Sequence, residues 1–169
     1  MARIFRSDAG KALIHGQYRS VLDRWPVPRR ELRIPTCQGE TFVVDCGPEG
    51  APPVILLHGG ATTSAMWVRS VRAWAESFRL YAIDIIGEPG FSAPSRPAFA
   101  SDAHARWMDD LWSALHLERA SIVGASLGGL LALDYAIRRP EKVQTLVLLA
   151  PAGVARVRLG LRQPVGVEQ

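Results

Sequence analysis

Four short, continuous apolar segments constrain the fold most strongly, because each is long enough for a strand and too short for a buried helix. They lie at residues 54–57, 80–83, 120–123 and 143–149. Runs of this kind are typical of strands that are buried on both faces of a sheet. The segments between them have the residue spacing of helices, at residues 64–78, 101–115 and 127–138. This alternation predicts a three-layer α/β domain with a parallel sheet and right-handed crossovers.

The first 30 residues show a different pattern, which predicts a leading amphipathic helix. The helix is expected to begin at Ser7 or Asp8, either of which can act as its N-cap, and to end before Pro26 and Pro28. Its apolar positions recur with helical spacing at Ile14, Tyr18, Val21, Leu22 and Trp25. We therefore expect this stripe to be the buried face of the helix.

Two short strands are predicted next, at residues 31–36 and 40–46. The dipeptide between them, Gln38-Gly39, supplies the glycine that a tight hairpin turn requires. The expected sheet is therefore parallel, with an antiparallel leading hairpin.

Composition and charge limit the classes of partner. The chain has 169 residues, 48% of them apolar, which is enough for one ordinary core. The net charge is +4, but residues 34–150 sum to −3, so the positive excess lies in the two ends. Basic residues are scattered and do not alternate with aromatic residues as in RNA-binding segments, so we expect no nucleic-acid partner.

Several features indicate a cytoplasmic protein with no membrane partner. No apolar run approaches the roughly 18 residues of a spanning helix, and charged residues occupy the start of the chain, where a signal peptide would be apolar. Cys37 and Cys46 form neither a CxxC pair nor a metal-ligand spacing with histidine. We therefore expect reduced cysteines and no metal site.

One motif carries a specific chemical prediction. The sequence Gly124-Ala125-Ser126-Leu127-Gly128 lies between a predicted strand and a predicted helix. A Gly-x-Ser-x-Gly motif at such a turn is typical of a nucleophile elbow, in which Ser126 occupies a strained backbone. Gly124 and Gly128 would then allow neighbouring chain segments to approach closely. An ordinary glycine turn in an α/β sheet is the alternative interpretation.

Two further motifs follow strands in the same half of the chain. His58-Gly59-Gly60-Ala61 follows the run at 54–57, and Asp84-Ile85-Ile86-Gly87-Glu88-Pro89-Gly90-Phe91-Ser92 follows the run at 80–83. With the elbow motif, their order resembles the amino-terminal half of the α/β-hydrolase fold. The segments Trp25-Pro26-Val27-Pro28, Ile34-Pro35-Thr36 and Gly47-Pro48 are similar to the bacterial carboxylesterase-like branch of that family.

The resemblance implies hydrolysis of a small-molecule carboxylic ester without a metal or organic cofactor. Ser126 would attack the carbonyl carbon, and two backbone N–H groups would bind the oxyanion. We expect these donors to be Leu127 and Gly60, with Ala61 as the alternative to Gly60. A histidine oriented by a carboxylate would accept and return the serine proton.

The sequence departs from the family pattern in its catalytic acid and histidine. The family order is serine, acid, histidine, yet all four histidines precede Ser126: His15, His58, His104 and His116. We expect His58 to shape its loop. His104 and His116, which flank the helix predicted at residues 101–115, are expected to be surface or capping residues. The carboxylates after Ser126, which are Asp134, Glu141 and Glu168, do not fit the acid position. No catalytic acid or histidine is therefore found in the chain.

The predicted domain also corresponds to only part of the family fold. Residues 31–154 are expected to form an incomplete α/β-hydrolase domain, truncated after the sixth strand, and residues 155–169 a tail without regular structure. The sixth strand would then be an open apolar edge, which favours self-association. We expect a weakly active or inactive esterase. A non-catalytic binding or assembly module, or completion of the site by a second polypeptide, are the alternatives.

Overall fold

A computed structural model describes residues 4–153, so the predicted tail at 155–169 lies outside the described residues. The helices and strands are α1 (Asp8–Asp23), β1 (Arg29–Ile34), β2 (Thr41–Cys46), β3 (Pro53–Leu57), α2 (Val71–Trp74), β4 (Arg79–Ile83), α3 (Ala103–Ala114), β5 (Ala120–Ala125), α4 (Leu127–Arg138) and β6 (Val143–Leu149). Two 3-10 turns, Ser64–Trp67 and Pro140–Lys142, precede α2 and β6. All four apolar runs form strands, as predicted. No helix within the described residues has both the length and the apolar character needed to cross a membrane.

The strands form one six-stranded sheet in the order β1-β2-β4-β3-β5-β6. β3 lies between β4 and β5 and is parallel to both, and β6 is parallel to β5. The β1–β2 hairpin joins the sheet through an antiparallel pairing of β2 with β4. The predicted fold class is confirmed: a parallel sheet with an antiparallel leading hairpin. The carboxyl ends of the four parallel strands meet at one edge of this sheet.

Helices cover both faces of the sheet, so its central strands are apolar throughout. Along β3, Ile55 and Leu57 pack with α3 and α4, whereas Val54 and Leu56 pack with α1 and α2. This alternation explains why β3 is one continuous apolar run in the sequence. Trp67 is 2% exposed and packs in the α1 and α2 layer.

Helix α1 begins as predicted, at a cap formed by Ser7. The Ser7 hydroxyl accepts a hydrogen bond from the Gly10 N–H at 3.1 Å, which satisfies a backbone donor that the helix leaves unpaired. Tyr18, Leu22 and Trp25 are buried, as expected from the apolar stripe. Ile14 is 39% exposed, so the prediction that it belongs to the buried face is wrong. The buried stripe therefore starts one turn later than expected.

The hairpin is present, but its connection is longer than the predicted two-residue turn. β1 and β2 pair up to Ile34 and Thr41, which leaves residues 35–40 as the loop. Cys37 donates its backbone N–H to the Asp110 carboxylate of α3 at 2.7 Å. The Cys37 N–H therefore bonds to α3 and takes no part in the pairing of β1 with β2. Gly39 adopts a φ of +100°, consistent with its predicted role in the turn.

The single helix predicted over residues 64–78 is wrong. This segment forms a 3-10 turn and the four-residue helix α2 instead. Ser64 donates its backbone N–H to the Asp84 carboxylate at 2.9 Å, and the Thr63 hydroxyl accepts from the Ala65 N–H. These bonds fix a tight turn at the start, and a contact with a distant residue therefore overrides the local helical spacing.

Buried Asp84 joins α1 to the loops at the carboxyl edge of the sheet. One carboxylate oxygen accepts hydrogen bonds from the Tyr18 hydroxyl and the Ser64 N–H, both at 2.9 Å. The other oxygen accepts from the Phe91 N–H at 2.8 Å. Burial and the adjacent carboxylate raise the pKa of Tyr18, so its hydroxyl stays protonated and donates. These hydrogen bonds replace the hydration that the carboxylate loses when it is buried.

Replacing Tyr18 with phenylalanine tests this network. The Tyr18→Phe change removes one donor to a fully buried carboxylate, so we expect the free energy of unfolding to fall by about 1–3 kcal/mol in urea denaturation. Tyr81→Phe is the control, because within residues 4–153 the Tyr81 hydroxyl makes no hydrogen bond, and its effect should stay within about 0.5 kcal/mol. Equal stabilities of the two variants would contradict the role given to Asp84.

Candidate active site

Ser126 occupies a strained backbone position between β5 and α4. Its φ of 48° and ψ of −110° are rare for a residue that carries a Cβ, and its side chain is exposed. Two backbone hydrogen bonds hold this conformation, from the Ser126 N–H to the Leu149 carbonyl and from the Ala152 N–H to the Ser126 carbonyl, both at 2.9 Å. The end of β6 therefore supports the geometry that presents Ser126 to solvent.

The neighbouring glycines permit α4 to contact the ends of two strands. A Cβ on Gly124 would overlap the Gly128 carbonyl, and a Cβ on Gly128 would overlap the Leu57 carbonyl at the end of β3. The Gly128 N–H also donates to the His58 carbonyl at 3.1 Å. Both positions thus need glycine because backbone atoms fill the space of a side chain.

Two backbone donors near Ser126 are unpaired. Neither the Gly60 N–H nor the Leu127 N–H donates to an acceptor within residues 4–153, and Leu127 is the first residue of α4. A Cβ added to Gly60 would lie 3.7 Å from the Leu127 Cβ, so the two residues are adjacent. Free N–H groups at a helix N-terminus favour negative charge on a bound atom. This pair can therefore bind an oxyanion that forms beside Ser126.

Ala61, the alternative donor, is engaged elsewhere. Its backbone N–H donates to the Glu88 carboxylate, which comes from the loop after β4. Ala61 also has a φ of 57°, so the loop turns sharply after Gly60. The structure therefore leaves Gly60 free and Ala61 occupied. Sequence reasoning missed Glu88 as a partner of this loop, because the two residues are 27 positions apart and no motif links them.

His58 is buried at the base of the same loop, with both ring nitrogens engaged. Nε2 accepts from the Ile85 N–H at 2.9 Å, and Nδ1 lies 2.8 Å from the Gly59 carbonyl. Because Nε2 accepts, the proton resides on Nδ1, and the ring is neutral. Burial lowers the pKa of His58, although the carboxylates of Asp84 and Glu88 act in the opposite direction. His58 shapes the loop and has no free nitrogen for proton transfer.

The other candidate groups for proton transfer lie in different surroundings. No histidine side chain within residues 4–153 hydrogen-bonds to Ser126. His116 is exposed at the end of α3, with a φ of 55°. Asp134 pairs with Arg138 at 2.9 Å on α4, Glu141 lies in the 3-10 turn before β6, and Glu168 is outside the described residues. His104, expected at the surface, is instead 6% exposed.

Comparisons with known proteins agree with this fold. The family profile described as the alpha/beta hydrolase fold matches residues 52–164. The chain belongs to the α/β hydrolase fold family, and the predicted resemblance is confirmed.

Within the family, the chain is similar to bacterial carboxylesterases. Carboxylesterase YbfK of Bacillus subtilis is 40% identical over 135 residues, which cover 80% of this chain and 46% of that protein. The crystal structure of naproxen esterase (carboxylesterase NP) from Bacillus subtilis superposes with a TM-score of 0.80 at 36% identity, over 88% of this chain and 52% of that one. The chain thus spans about half the length of the relatives it matches.

The Gly128→Ala variant tests the close approach of α4 to β3. Its Cβ would overlap the Leu57 carbonyl, so we expect a loss of about 1–3 kcal/mol in the free energy of unfolding. Gly16→Ala is the matched control, since a Cβ at this position in α1 has no neighbour within 4 Å. It should gain about 0.5–1 kcal/mol from helix propensity. A neutral Gly128→Ala variant would contradict the packing described.

The lowered pKa of His58 predicts a loss of stability in acid. The unfolded state binds the proton first, near the ordinary pKa of about 6.5, so acidification below that value favours unfolding by up to about 1.4 kcal/mol per pH unit. Burial also lowers the pKa values of His15 and His104, which add to the effect. Denaturation of the protein between pH 7.5 and about 5.5 measures this slope.

Two variants test whether His58 causes this pH dependence of the free energy of unfolding. His58→Gln should unfold more readily at neutral pH and show a shallower pH dependence, because one buried imidazole is gone. Ser113→Ala changes an exposed side chain that does not titrate and should leave the slope unchanged. An equal slope in the wild-type protein and His58→Gln would contradict the assignment.

Proposed function

We propose that Ser126 is the nucleophile of a serine hydrolase of the carboxylesterase type, acting on a small-molecule ester. The observation that carries the proposal is the strained, exposed Ser126 beside two unpaired backbone donors, Gly60 and Leu127. The similarity to carboxylesterases supports the reaction class. Such a serine needs no metal or organic cofactor, because the hydroxyl itself forms the covalent bond.

The proposed reaction proceeds through an acyl-enzyme. The Ser126 oxygen bonds to the ester carbonyl carbon, and the negative charge moves to the carbonyl oxygen, where the N–H groups of Gly60 and Leu127 bind it. The bond to the alcohol oxygen then breaks, and the alcohol leaves with the proton that the Ser126 hydroxyl has lost. Water attacks the acyl-enzyme in the same way, releasing the carboxylic acid and restoring the serine hydroxyl.

The described residues hold no base for the serine proton. His58 uses both ring nitrogens in its loop, and no other histidine hydrogen-bonds to Ser126 within residues 4–153. A serine without a base keeps the high pKa of an alcohol and reacts slowly. We therefore propose that the 169-residue chain is weakly active or inactive. Triad enzymes that lose their acid and base retain roughly 10³–10⁴-fold catalysis over water from the oxyanion hole and binding.

A non-catalytic assembly module is the second candidate, and β6 is the observation that favours it. β6 pairs only with β5 among the described residues, and Val147 and Leu149 on it are more than 40% exposed. An apolar edge strand of this kind can pair with another chain. Self-association through this edge stays a prediction, and sedimentation across a concentration series would detect it.

The cytoplasm is the compartment we propose. Cys37 and Cys46 are both free thiols, one exposed and one buried. Disulfides form and persist in oxidising compartments, whereas thiols stay reduced in the cytosol.

Labelling with a fluorophosphonate tests the proposed nucleophile. The serine oxygen displaces fluoride at phosphorus, forming a P–O bond, and the serine proton passes to solvent. We expect slow stoichiometric labelling of the wild-type protein and loss of labelling in Ser126→Ala. Ser113→Ala, which changes an exposed serine on α3, should label like the wild type. Intact-mass spectrometry measures the adduct.

The same samples separate the two candidate functions. Turnover of a short-chain p-nitrophenyl ester that disappears in Ser126→Ala would support weak esterase activity. Labelling that persists in Ser126→Ala would overturn the assignment of Ser126 as the nucleophile. Neither labelling nor turnover at high protein concentration would overturn the proposed residual activity and favour the assembly module.

A further inference from the structure

A cavity of about 240 Å³ opens beside the candidate active site. Its walls come from the loop after β4, the segment before α3 and the first turns of α4. Leu127, which follows Ser126, forms one side, with Ile85, Ile86 and Leu131 as further apolar lining. The cavity thus shares a wall residue with the proposed oxyanion site.

One buried polar group in this cavity has no partner. His104 is 6% exposed, and its ring stacks on Phe99 with the planes 6° apart and the centroids separated by 5.2 Å. Its Nδ1 is enclosed and has no hydrogen-bond partner among the residues the structure describes. An unpaired buried polar atom costs free energy, and in folded proteins it is uncommon. Nε2 is not enclosed and makes no hydrogen bond within residues 4–153, so it is the ring nitrogen that can bond to a ligand in the cavity.

The charges around the cavity favour a neutral ligand group. Arg96 and Glu88 also line the cavity, so their opposite charges balance. Arg96 is fixed by a hydrogen bond from Nε to the Gly87 carbonyl at 2.8 Å, and within residues 4–153 its terminal nitrogens make no hydrogen bond. Burial lowers the pKa of His104, so its ring is neutral at pH 7, with one donor and one acceptor nitrogen.

We propose that this cavity, which we call the His104 pocket, binds an apolar part of the ester that carries one neutral hydrogen-bonding group, such as a hydroxyl. The apolar lining would bury the carbon chain, and the imidazole of His104 would bond to the hydroxyl. This inference rests on the proposed function, since it places the pocket beside the reacting ester. It assigns His104 a role in substrate selection and none in proton transfer.

The His104 pocket shares residues with the proposed oxyanion site. Leu127 contributes its side chain to the pocket and its backbone N–H to the proposed oxyanion site. Glu88 lines the pocket and accepts the N–H of Ala61, the residue after Gly60. A substrate chain seated against His104 would therefore lie beside Leu127, which carries one proposed donor, and beside Glu88, which bonds to the residue after the other donor.

Two fluorophosphonates that differ by one hydroxyl test whether the His104 pocket prefers a chain that carries this group. One carries an unbranched six-carbon chain, and the other carries the same chain with a terminal hydroxyl. The wild-type protein should label with the hydroxylated probe about tenfold faster, the gain expected of one well-made buried hydrogen bond. In His104→Phe, which keeps an aromatic ring against Phe99, the two rates should become equal. His104→Gln, which retains a hydrogen-bonding group, should keep part of the preference.

A binding measurement decides the inference without any reaction at Ser126. Imidazole nitrogen signals of His104, observed by NMR, should shift on titration with 1,6-hexanediol and much less with 1-hexanol. Equal labelling rates for the two probes in the wild-type protein, or His104 nitrogen signals that do not shift on addition of the diol, would overturn the pocket assignment. Absence of Ser126-dependent labelling with both probes, together with a diol-specific shift, would overturn the proposed function and leave the pocket assignment supported.

Discussion

The close packing of α4 against the ends of β3 and β5 is the constraint on which the site depends. Gly124 and Gly128 leave no room for a side chain, and the Gly128 N–H bonds to the His58 carbonyl. The backbone of Ser126 must therefore turn through the left-handed region to enter the helix. The same packing brings Leu127 next to Gly60, so one backbone constraint positions the serine and both proposed donors.

Buried polar groups hold the loops around this packing. His58 joins the Gly60 loop to the Ile85 backbone, and Asp84 joins the following loop to α1 and to the turn before α2. Both groups are fully buried and bonded, so they fix loop positions that apolar contacts alone would leave free. His104 differs from them because neither of its ring nitrogens has a hydrogen-bond partner among the described residues. That difference separates a structural polar residue from one available to a ligand.

The sequence predicts those parts of the molecule that local patterns determine. Continuous apolar runs predict strands covered on both faces, and the Gly-x-Ser-x-Gly spacing predicts the backbone of Ser126. The prediction failed where distant contacts decide the structure. Ser64 bonds to Asp84, which tightens the start of the expected helix at 64–78, and Cys37 bonds to Asp110, outside the β ladder. The burial of His104 depends on Phe99 and the loop after β4, which no local pattern reveals.

We expect Ser126 to form a covalent adduct whose oxygen is bound by the N–H groups of Gly60 and Leu127. A crystal structure of the phosphonylated protein measures this directly. The phosphorus should be bonded to the Ser126 oxygen, with the phosphoryl oxygen within about 3.1 Å of the two backbone nitrogens. An adduct on another residue, or a phosphoryl oxygen that contacts neither nitrogen, would contradict it.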